Sequence, residues 1–353
     1  MSLIPLKIIK LLVVSVVLLG SSIQILAAQN TPKPQYGCGS DRVAGWSPDG
    51  KQILFISERT GSPDIWVMDA NGEHAMNLTA DSKEDDLNPV WSPDGKFIAF
   101  ISDREKYSNL WVMNADGSHL ESLDTDASHV YGSPVWSSDG TKIAVVFVNG
   151  QKTDIGFIDI KTKTLKNLTQ NSDVSFKDAS WSFDDTMLAV TTLSNTDVYV
   201  MNADGSDLSI IESGSFNIQV TWSPVNDLIL ITKVPHIGSD SSDIWQINLK
   251  DKKRSNLTES NKSIDISPVW SPNGEYIIFI SDRGNHRGDI WKMTATGTNQ
   301  SGITKNFDGS MFGLVWSPDA TQISFSAVTD EQSNIWVINF NGSGLLNLTK
   351  ASC

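Results

Sequence analysis

Few residues in this sequence have the types and spacing needed for acid–base, nucleophilic or metal chemistry. No Gly-x-Ser-x-Gly segment is present, so the nucleophile elbow of serine hydrolases is missing. The only two cysteines, Cys38 and Cys353, lie too far apart in the chain for a closely spaced zinc motif. Three of the five histidines fall in segments that we expect to be loops on one face: His129, His236 and His286. They leave a metal-dependent site open as an alternative, although loop histidines are usually only solvated.

Two further polar patterns contain reactive groups, but both recur along the chain. A triplet of Ser, an acid and Arg occurs at residues 57–59, 102–104 and 281–283. Asn-Leu-Thr, which matches a glycosylation sequon, occurs at residues 77–79, 167–169, 256–258 and 347–349. Because each pattern returns at one position of a repeat, we interpret the first as a structural salt bridge or loop cap. The second is interpreted as part of the strand framework.

The elements that must position these residues come from one repeat of about 45 residues. A Trp-Ser pair recurs with spacings of 45, 45, 45, 41, 48 and 46, at Trp46, Trp91, Trp136, Trp181, Trp222, Trp270 and Trp316. About twenty residues later comes Asp or Asn, an aliphatic residue and an aromatic residue, a motif that is degenerate in the third copy at Gly156. All twelve tryptophans belong to these two motifs, so we interpret them as packing residues.

Each repeat is typical of four short strands, A to D, joined by tight turns. In the second repeat, the Ser-Pro-Asp-Gly turn at residues 92–95 separates a strand ending at Trp91 from an apolar strand at residues 97–102. Strands at residues 110–114 and 120–123 follow. Such a unit cannot bury both of its faces alone, whereas seven units stacked around an axis can. The sequence therefore predicts an all-β, seven-bladed β-propeller of four-stranded antiparallel blades over residues 41–353, with blades at about 41–79, 86–124, 131–169, 176–212, 217–258, 265–304 and 311–349.

The two cysteines predict how the ring closes. The last Thr of a repeat usually lies 12 residues before the next Trp, and the four residues from Thr349 to Cys353 plus the eight from Cys38 to Trp46 give the same length. Each repeat is a whole blade, so no strand exchange joins the termini. A Cys38–Cys353 disulfide would replace the missing link, and an exported protein can form it. Two unpaired thiols are the alternative.

The N-terminal segment and the charge indicate where the protein acts. Residues 1–28 resemble a signal peptide with an apolar centre and small residues at its end, and residues 29–40 form a linker. An uncleaved anchor is the alternative, and it alone would bring membrane contact. The formal net charge of −14 disfavours nucleic acid and anionic lipid as partners. We expect a periplasmic or extracellular protein, and a monomer.

A ring of residues five positions before each Trp is predicted to surround the mouth of the channel. The D–A and B–C loops emerge on this face, and they are the variable parts of the repeat. The predicted ligand-binding residues are Asp41, Asp86, Tyr131, Phe176 and Asp265. Asn217 and Met311 occupy the same position in the two remaining repeats. The alternative is that the Asp side chains only cap loop amides. No cofactor is required, although a divalent cation could bind.

The motifs resemble those of a known family. Residues 89–117 contain Pro-Val-Trp-Ser-Pro-Asp-Gly-Lys, then Ile-Ala-Phe-Ile-Ser-Asp-Arg, then Leu-Trp-Val-Met-Asn-Ala-Asp-Gly. This pattern resembles the TolB-type, WD-repeat-like propeller repeat, and the resemblance covers residues 41–349. TolB itself is periplasmic, works by protein contact and has six blades, so its particular role is not implied for seven repeats. Similar repeats occur in propeller domains of prolyl oligopeptidase-type peptidases and tricorn-like proteases, and in metal-dependent oligogalacturonate lyases.

These observations favour one function over two others. A complete propeller without a recognisable catalytic constellation predicts an exported, non-enzymatic module that binds a protein or peptide through its loop-rich face. The first alternative is a metal-dependent carbohydrate-active lyase or hydrolase at the channel mouth. The second is a structural surface protein.

Overall fold

The computed structural model describes residues 40–350, apart from residues 106, 124–128, 215, 237–238, 260–261, 284–287 and 306. The described residues form strands joined by turns and loops. The proposed signal peptide, most of the linker, Cys38 and Cys353 lie outside them. No helix in the described ranges is long and apolar enough to cross a membrane.

Each blade contains four consecutive strands, numbered here in chain order. Blades 1 and 2 contain β1 (Asp41–Trp46), β2 (Gln52–Ser57), β3 (Asp64–Asp69), β4 (Met76–Asn77), β5 (Asp86–Trp91), β6 (Phe97–Ser102), β7 (Asn109–Asn114) and β8 (Glu121–Ser122). Blades 3 and 4 contain β9 (Val130–Trp136), β10 (Lys142–Asn149), β11 (Lys152–Asp159), β12 (Thr164–Asn167), β13 (Phe176–Trp181), β14 (Met187–Thr192), β15 (Val198–Asn202) and β16 (Ser209–Glu212).

Blades 5 to 7 continue the same pattern. Blade 5 contains β17 (Phe216–Trp222), β18 (Leu228–Val234), β19 (Asp243–Asn248) and β20 (Arg254–Asn256). Blade 6 contains β21 (Asp265–Trp270), β22 (Tyr276–Ser281), β23 (Asp289–Thr294) and β24 (Ser301–Gly302). Blade 7 contains β25 (Ser310–Trp316), β26 (Gln322–Thr329), β27 (Gln332–Asn339) and β28 (Leu346–Asn347).

The sheet order confirms the predicted seven-bladed propeller. Neighbouring strands in each of the seven sheets are consecutive in the chain, and every pairing is antiparallel. The innermost strands β1, β5, β9, β13, β17, β21 and β25 each contact the innermost strand of the next blade, and β25 contacts β1. Each blade is therefore one whole repeat, and the ring closes without exchanging a strand.

Local turn chemistry begins each second strand, as blade 2 illustrates. The Ser92 hydroxyl donates to Asp94 Oδ1 at 2.7 Å and accepts the backbone N–H of Phe97 at 3.0 Å. Gly95 has a φ of +70°, which a side chain would disfavour. The turn thus fixes where β5 ends and β6 begins.

The core lies between adjacent blades. Second strands such as β6 are buried along almost their whole length, because both of their faces meet a neighbouring blade. All twelve tryptophans are buried or half-buried, which confirms their interpretation as packing residues. Burying a large apolar side chain completely, as for Phe100, contributes about 1.5–3 kcal/mol to the free energy of unfolding.

Blade 7 and blade 1 pack together without any covalent link in the described residues. The backbone N–H of Val43 donates to Ser326 Oγ at 2.8 Å, and Trp46 Nε1 donates to Ser324 Oγ at 2.9 Å. Ser333 Oγ donates to the carbonyl of Asp41 at 2.7 Å. A buried apolar cluster spans the same seam, formed by Trp46, Ile53, Phe55, Met68, Ile335 and Val337. Hydrogen bonds and apolar packing therefore close the ring.

Candidate binding face

The five predicted mouth residues all lie at the beginning of innermost strands, on the loop-rich face. Asp41, Asp86, Phe176 and Asp265 are buried, whereas Tyr131 is half-buried. In the described part of the chain, no hydrogen bond, ion pair or ring contact joins any two of these five residues. The structure thus places them on one face but packs most of them within their own blades.

Each of the three buried Asp residues is paired with the Arg of a Ser-acid-Arg triplet. In blade 2, Arg104 Nη2 lies 2.9 Å from Asp86 Oδ2, and Arg104 Nε also donates to Asp86. Asp86 is opposite Ser102 in the register of β5 and β6, so Arg104, two residues further, reaches back to it. Blades 1 and 6 repeat the pair at 2.8 Å and 2.6 Å, as Arg59–Asp41 and Arg283–Asp265. The predicted repeated salt bridge is therefore present.

The aromatic residue of the third strand completes this arrangement. The guanidinium of Arg59 lies 4.8 Å from the ring centre of Trp66. The corresponding distances are 5.8 Å for Arg104 and Trp111 and 5.3 Å for Arg283 and Trp291. A buried carboxylate must be paired, and an Arg above an aromatic face gains further attraction. The charged side chains of these Asp and Arg residues consequently form part of the blade framework.

Blades that lack this Arg have no Asp at the mouth position. In these four blades Tyr131, Phe176, Asn217 and Met311 occur there instead. Phe176 packs edge-on against Tyr199 with ring centres 5.7 Å apart. The Asp and its Arg always lie 18 residues apart. This spacing is the sequence signal that could have identified the pairs.

The middle acid of the triplet is used differently in each blade. Glu58 pairs with Arg42 at 2.9 Å, Asp103 accepts from Ser108 Oγ at 2.5 Å, and Asp282 accepts the backbone N–H of Ile264 at 2.8 Å. Burial raises the pKa of Glu58 above its ordinary value; Arg42 opposes the shift, and nearby acidic carboxylates add to it. Asp103, in contrast, remains exposed.

An aromatic cluster, defined as Tyr107, His129 and Tyr131, lies on the loop-rich face where blades 2 and 3 meet. The ring centres of Tyr107 and His129 are 4.8 Å apart with planes at 74°, and those of His129 and Tyr131 are 5.7 Å apart with planes at 29°. Burial raises the pKa of Tyr131 above its ordinary value, and the Asp103 carboxylate adds to the shift. Tyr107 is 39% exposed, so the cluster reaches solvent.

Sequence reasoning missed Tyr107 because it has no counterpart in other repeats. Two other described aromatic residues are comparably exposed, Phe97 and Phe183. Both lie at A–B turns, on the opposite face. Of these three exposed aromatic residues, Tyr107 alone therefore lies on the loop-rich face.

The recurring Asn-Leu-Thr triplets form a clamp between the third and fourth strands. In blade 3, Asn167 Nδ2 donates to Asp154 Oδ2 at 2.7 Å, and Thr169 Oγ1 donates to Asp154 and accepts from the N–H of Ile155. Burial alone would raise the pKa of Asp154, but its hydrogen bonds hold that pKa below its ordinary value. Blades 1 and 5 repeat the contact through Asn77–Asp64 and Asn256–Asp243. The structural interpretation of the triplets is confirmed.

The predicted grouping of His129, His236 and His286 stays a prediction, because His286 is outside the described residues. His129 belongs to the aromatic cluster, and His236 lies in the loop between β18 and β19. His74 and His119 lie in turns on the opposite face. Among the described residues, no group of three or more His, Cys, Asp or Glu side chains could hold a metal ion.

The fold is that of a TolB-like propeller, and the aromatic cluster lies on its loop-rich face. Residues 23–225 match the model of the TolB beta propeller domain, so the chain belongs to that family. This confirms the resemblance noted in the sequence. No curated protein matches the chain.

Solved structures share the fold at low identity. An oligogalacturonate lyase in complex with manganese is 16% identical with a TM-score of 0.68, covering 85% of this chain and 89% of its own. TolB from Acinetobacter baumannii is 21% identical with a TM-score of 0.50, covering 74% of this chain and 62% of its own. The propeller domain of the Trilobed protease from Pyrococcus furiosus, described as having an open velcro topology, is 13% identical with a TM-score of 0.66, covering 90% of this chain and 100% of its own. These similarities establish the architecture alone.

Proposed function

We propose that this protein is an exported, non-enzymatic module that binds a protein or peptide through its loop-rich face, in the periplasm or outside the cell. The observation that carries the proposal is the solvent-accessible aromatic cluster of Tyr107, His129 and Tyr131. Aromatic side chains are enriched at protein interfaces, because they bury a large area with few rotatable bonds. Export is supported by the signal-like composition of residues 1–28.

The predicted mouth residues divide into two roles in this proposal. Tyr131 contacts the partner directly as part of the aromatic cluster. Asp41, Asp86 and Asp265 hold arginines in place, and Phe176 packs beneath the face. The binding surface is therefore built on a rigid layer of ion pairs, which keeps the loops above it in position.

Capture experiments with matched variants test the proposal. The mature, tagged protein is incubated with an extract of its own cell envelope, in parallel with Tyr107→Ala and Phe183→Ala. Phe183 is the control because it has the same 39% exposure and lies on the opposite face. We expect one partner to be retained by the wild type and Phe183→Ala and depleted with Tyr107→Ala. Equal retention by all three would contradict binding through the aromatic cluster.

The alternative enzyme function has one supporting observation, the shared fold with an oligogalacturonate lyase in complex with manganese. The described residues do not fit such a metal, because they contain no set of three convergent ligands. Metal analysis of the purified protein and assays with acidic oligosaccharides separate the two functions. Stoichiometric metal, together with turnover that a chelator abolishes, would replace the binding proposal with the enzyme. A structural surface protein would instead yield neither partner nor turnover.

A further inference from the structure

The aromatic cluster has a corner-like arrangement of rings and reaches solvent through Tyr107, which is 39% exposed. Its rings come from three places in the chain: Tyr107 precedes β7, His129 precedes β9, and Tyr131 lies within β9. The His129 and Tyr131 planes are tilted by only 29°, whereas the Tyr107 ring stands at 74° to His129. Aromatic faces carry partial negative charge, so a corner of two ring orientations presents this charge from two sides.

The loop that carries Tyr107 and the D–A loop that it contacts, through the N–H of Asp103 and the carbonyl of Asp85, are together acidic. Residues 81–86 and 103–107 contain six acidic and three basic residues, a net charge of −3. Arg104, one of the three bases, is only 13% exposed and is held by the fully buried Asp86. Asp103 is exposed, and its negative charge adds to the rise in the pKa of Tyr131 that burial causes. The field at the aromatic cluster is therefore negative, in agreement with the net charge of −14 of the whole chain.

We infer that the aromatic cluster receives a lysine or arginine side chain of the partner, with Asp103 beside the bound cation. The inference rests on the proposed binding function and names the chemistry of its partner. Lys or Arg fits both observations, because its charge is attracted by the ring faces and by the acidic loops, while its aliphatic stem covers the rings. An acidic segment would be repelled by the same loops.

Binding of a defined probe tests the inference without knowledge of the natural partner. The probe is a fluorescent peptide of alternating glycine and lysine, with a glycine–glutamate peptide as its counterpart, measured by anisotropy. We expect the lysine peptide to bind the wild type, and Tyr107→Ala to weaken binding about two- to fivefold. Tyr107→Phe and Phe183→Ala should bind as the wild type does. Asp103→Asn should weaken binding at low salt and have a smaller effect at high salt.

Thermal melts establish that the variants are folded, and Tyr107 tolerates substitution because it is exposed. The inference is overturned if the two peptides bind equally, or if Tyr107→Ala and Phe183→Ala lower binding to the same extent. Neutralising both the lysines and the arginines of the captured partner, by acetylation and by a 1,2-dicarbonyl reagent, separates the inference from the function beneath it. Binding lost after either modification supports the inference. Binding unchanged after both overturns it while leaving the proposed function intact, whereas failure to capture any partner refutes the function.

Discussion

At the residue scale, the buried Asp–Arg pairs show how charged side chains can belong to a blade framework. Asp86 is inaccessible to solvent and Arg104 nearly so, so removing one partner leaves an uncompensated buried charge. Blade 4 has uncharged residues at the same two positions, with Phe176 and Ser194.

Replacing this pair tests that coupling. We expect Asp86→Phe or Arg104→Ser, each alone, to lower the free energy of unfolding by about 3–5 kcal/mol, because each removes one partner of a buried ion pair. The double variant Asp86→Phe/Arg104→Ser, which reproduces blade 4, should lose less than either single variant. Urea unfolding of the four proteins measures these differences. Strictly additive losses would show that the two residues are not coupled.

The A–B turns predict a dependence of stability on pH. Hydrogen bonds from Lys96 and Ser92 lower the pKa of Asp94 from 3.8 to about 2. Because the folded pKa lies below the unfolded one, the stabilisation is complete above the ordinary pKa and is lost as pH falls through about 2. Blade 6 uses Asn273 at this position, where Oδ1 accepts from Ser271 Oγ at 2.7 Å.

Asp94→Asn is therefore a conservative test of this dependence. We expect a loss of less than about 1 kcal/mol at neutral pH, since the site is exposed and the amide oxygen keeps the bonds from Ser92 Oγ and the Lys96 backbone N–H. Only the bond from Lys96 Nζ to Oδ2 is lost. The difference from wild type should shrink as the pH is lowered from 3.8 towards 2, as measured by urea unfolding across this range. A stability difference that stays constant over this pH range would show that the charge of Asp94 does not contribute.

At the element scale, one inter-blade contact shows two compensating changes. The A–B turn of blade 2 ends in Gly95, which packs on Pro48 of blade 1. Between blades 3 and 4, Ser138 stands in place of the proline and Asp185 in place of the glycine. Asp185 adopts a φ of +57° and accepts the N–H and hydroxyl of Ser138 at 2.8 Å and 2.7 Å.

Because of this contact, we expect the stability changes caused by substitutions in the two turns to be non-additive. Ser138→Pro should lower stability by about 1–2 kcal/mol, because it removes two of the three donors to Asp185 and leaves only the Asp139 N–H. Asp185→Gly relieves the left-handed backbone but also loses the hydrogen bonds. The double variant Ser138→Pro/Asp185→Gly, which recreates the contact of blades 1 and 2, should be more stable than Ser138→Pro alone. Melting temperatures of the three variants decide the point, and a double variant no more stable than Ser138→Pro would refute it.

The repeat made the elements predictable to different degrees. The strand predicted at residues 97–102 is β6, because its turn and its continuous apolar run are both local signals. The outer strand predicted at residues 120–123 is only Glu121–Ser122, because an edge strand pairs on one side and adds little burial. The sequence predicts His129 and Tyr131 on the loop-rich face, but the aromatic cluster as a whole could not be predicted, since Tyr107 has no counterpart in the other repeats. The proximity of Tyr107 and His129 depends on how blades 2 and 3 pack.

At the scale of the whole molecule, the ring is closed by ordinary inter-blade contacts. Ser333 Oγ bonds the carbonyl of Asp41 across the seam, as Ser242 Oγ bonds that of Asp265 between blades 5 and 6 at 3.0 Å. Blade 7 thus contacts blade 1 in the same way as blade 5 contacts blade 6. A disulfide between the termini would add to this closure rather than create it.

The Cys38–Cys353 disulfide remains a prediction, and the packed seam defines what breaking it should do. Non-reducing mass spectrometry of the mature protein should detect a peptide linked through Cys38 and Cys353. Reduction should lower the melting temperature, with about 5 kcal/mol as the upper chain-entropy contribution for so long a loop. The native circular dichroism should persist at ambient temperature, because the contacts of Val43, Trp46 and Ser333 survive reduction.

The Cys38→Ser/Cys353→Ser variant is the control, and its melting temperature should not respond to reductant. Two free thiols in the native protein would refute the disulfide, whereas unfolding on reduction would show that the seam depends on it.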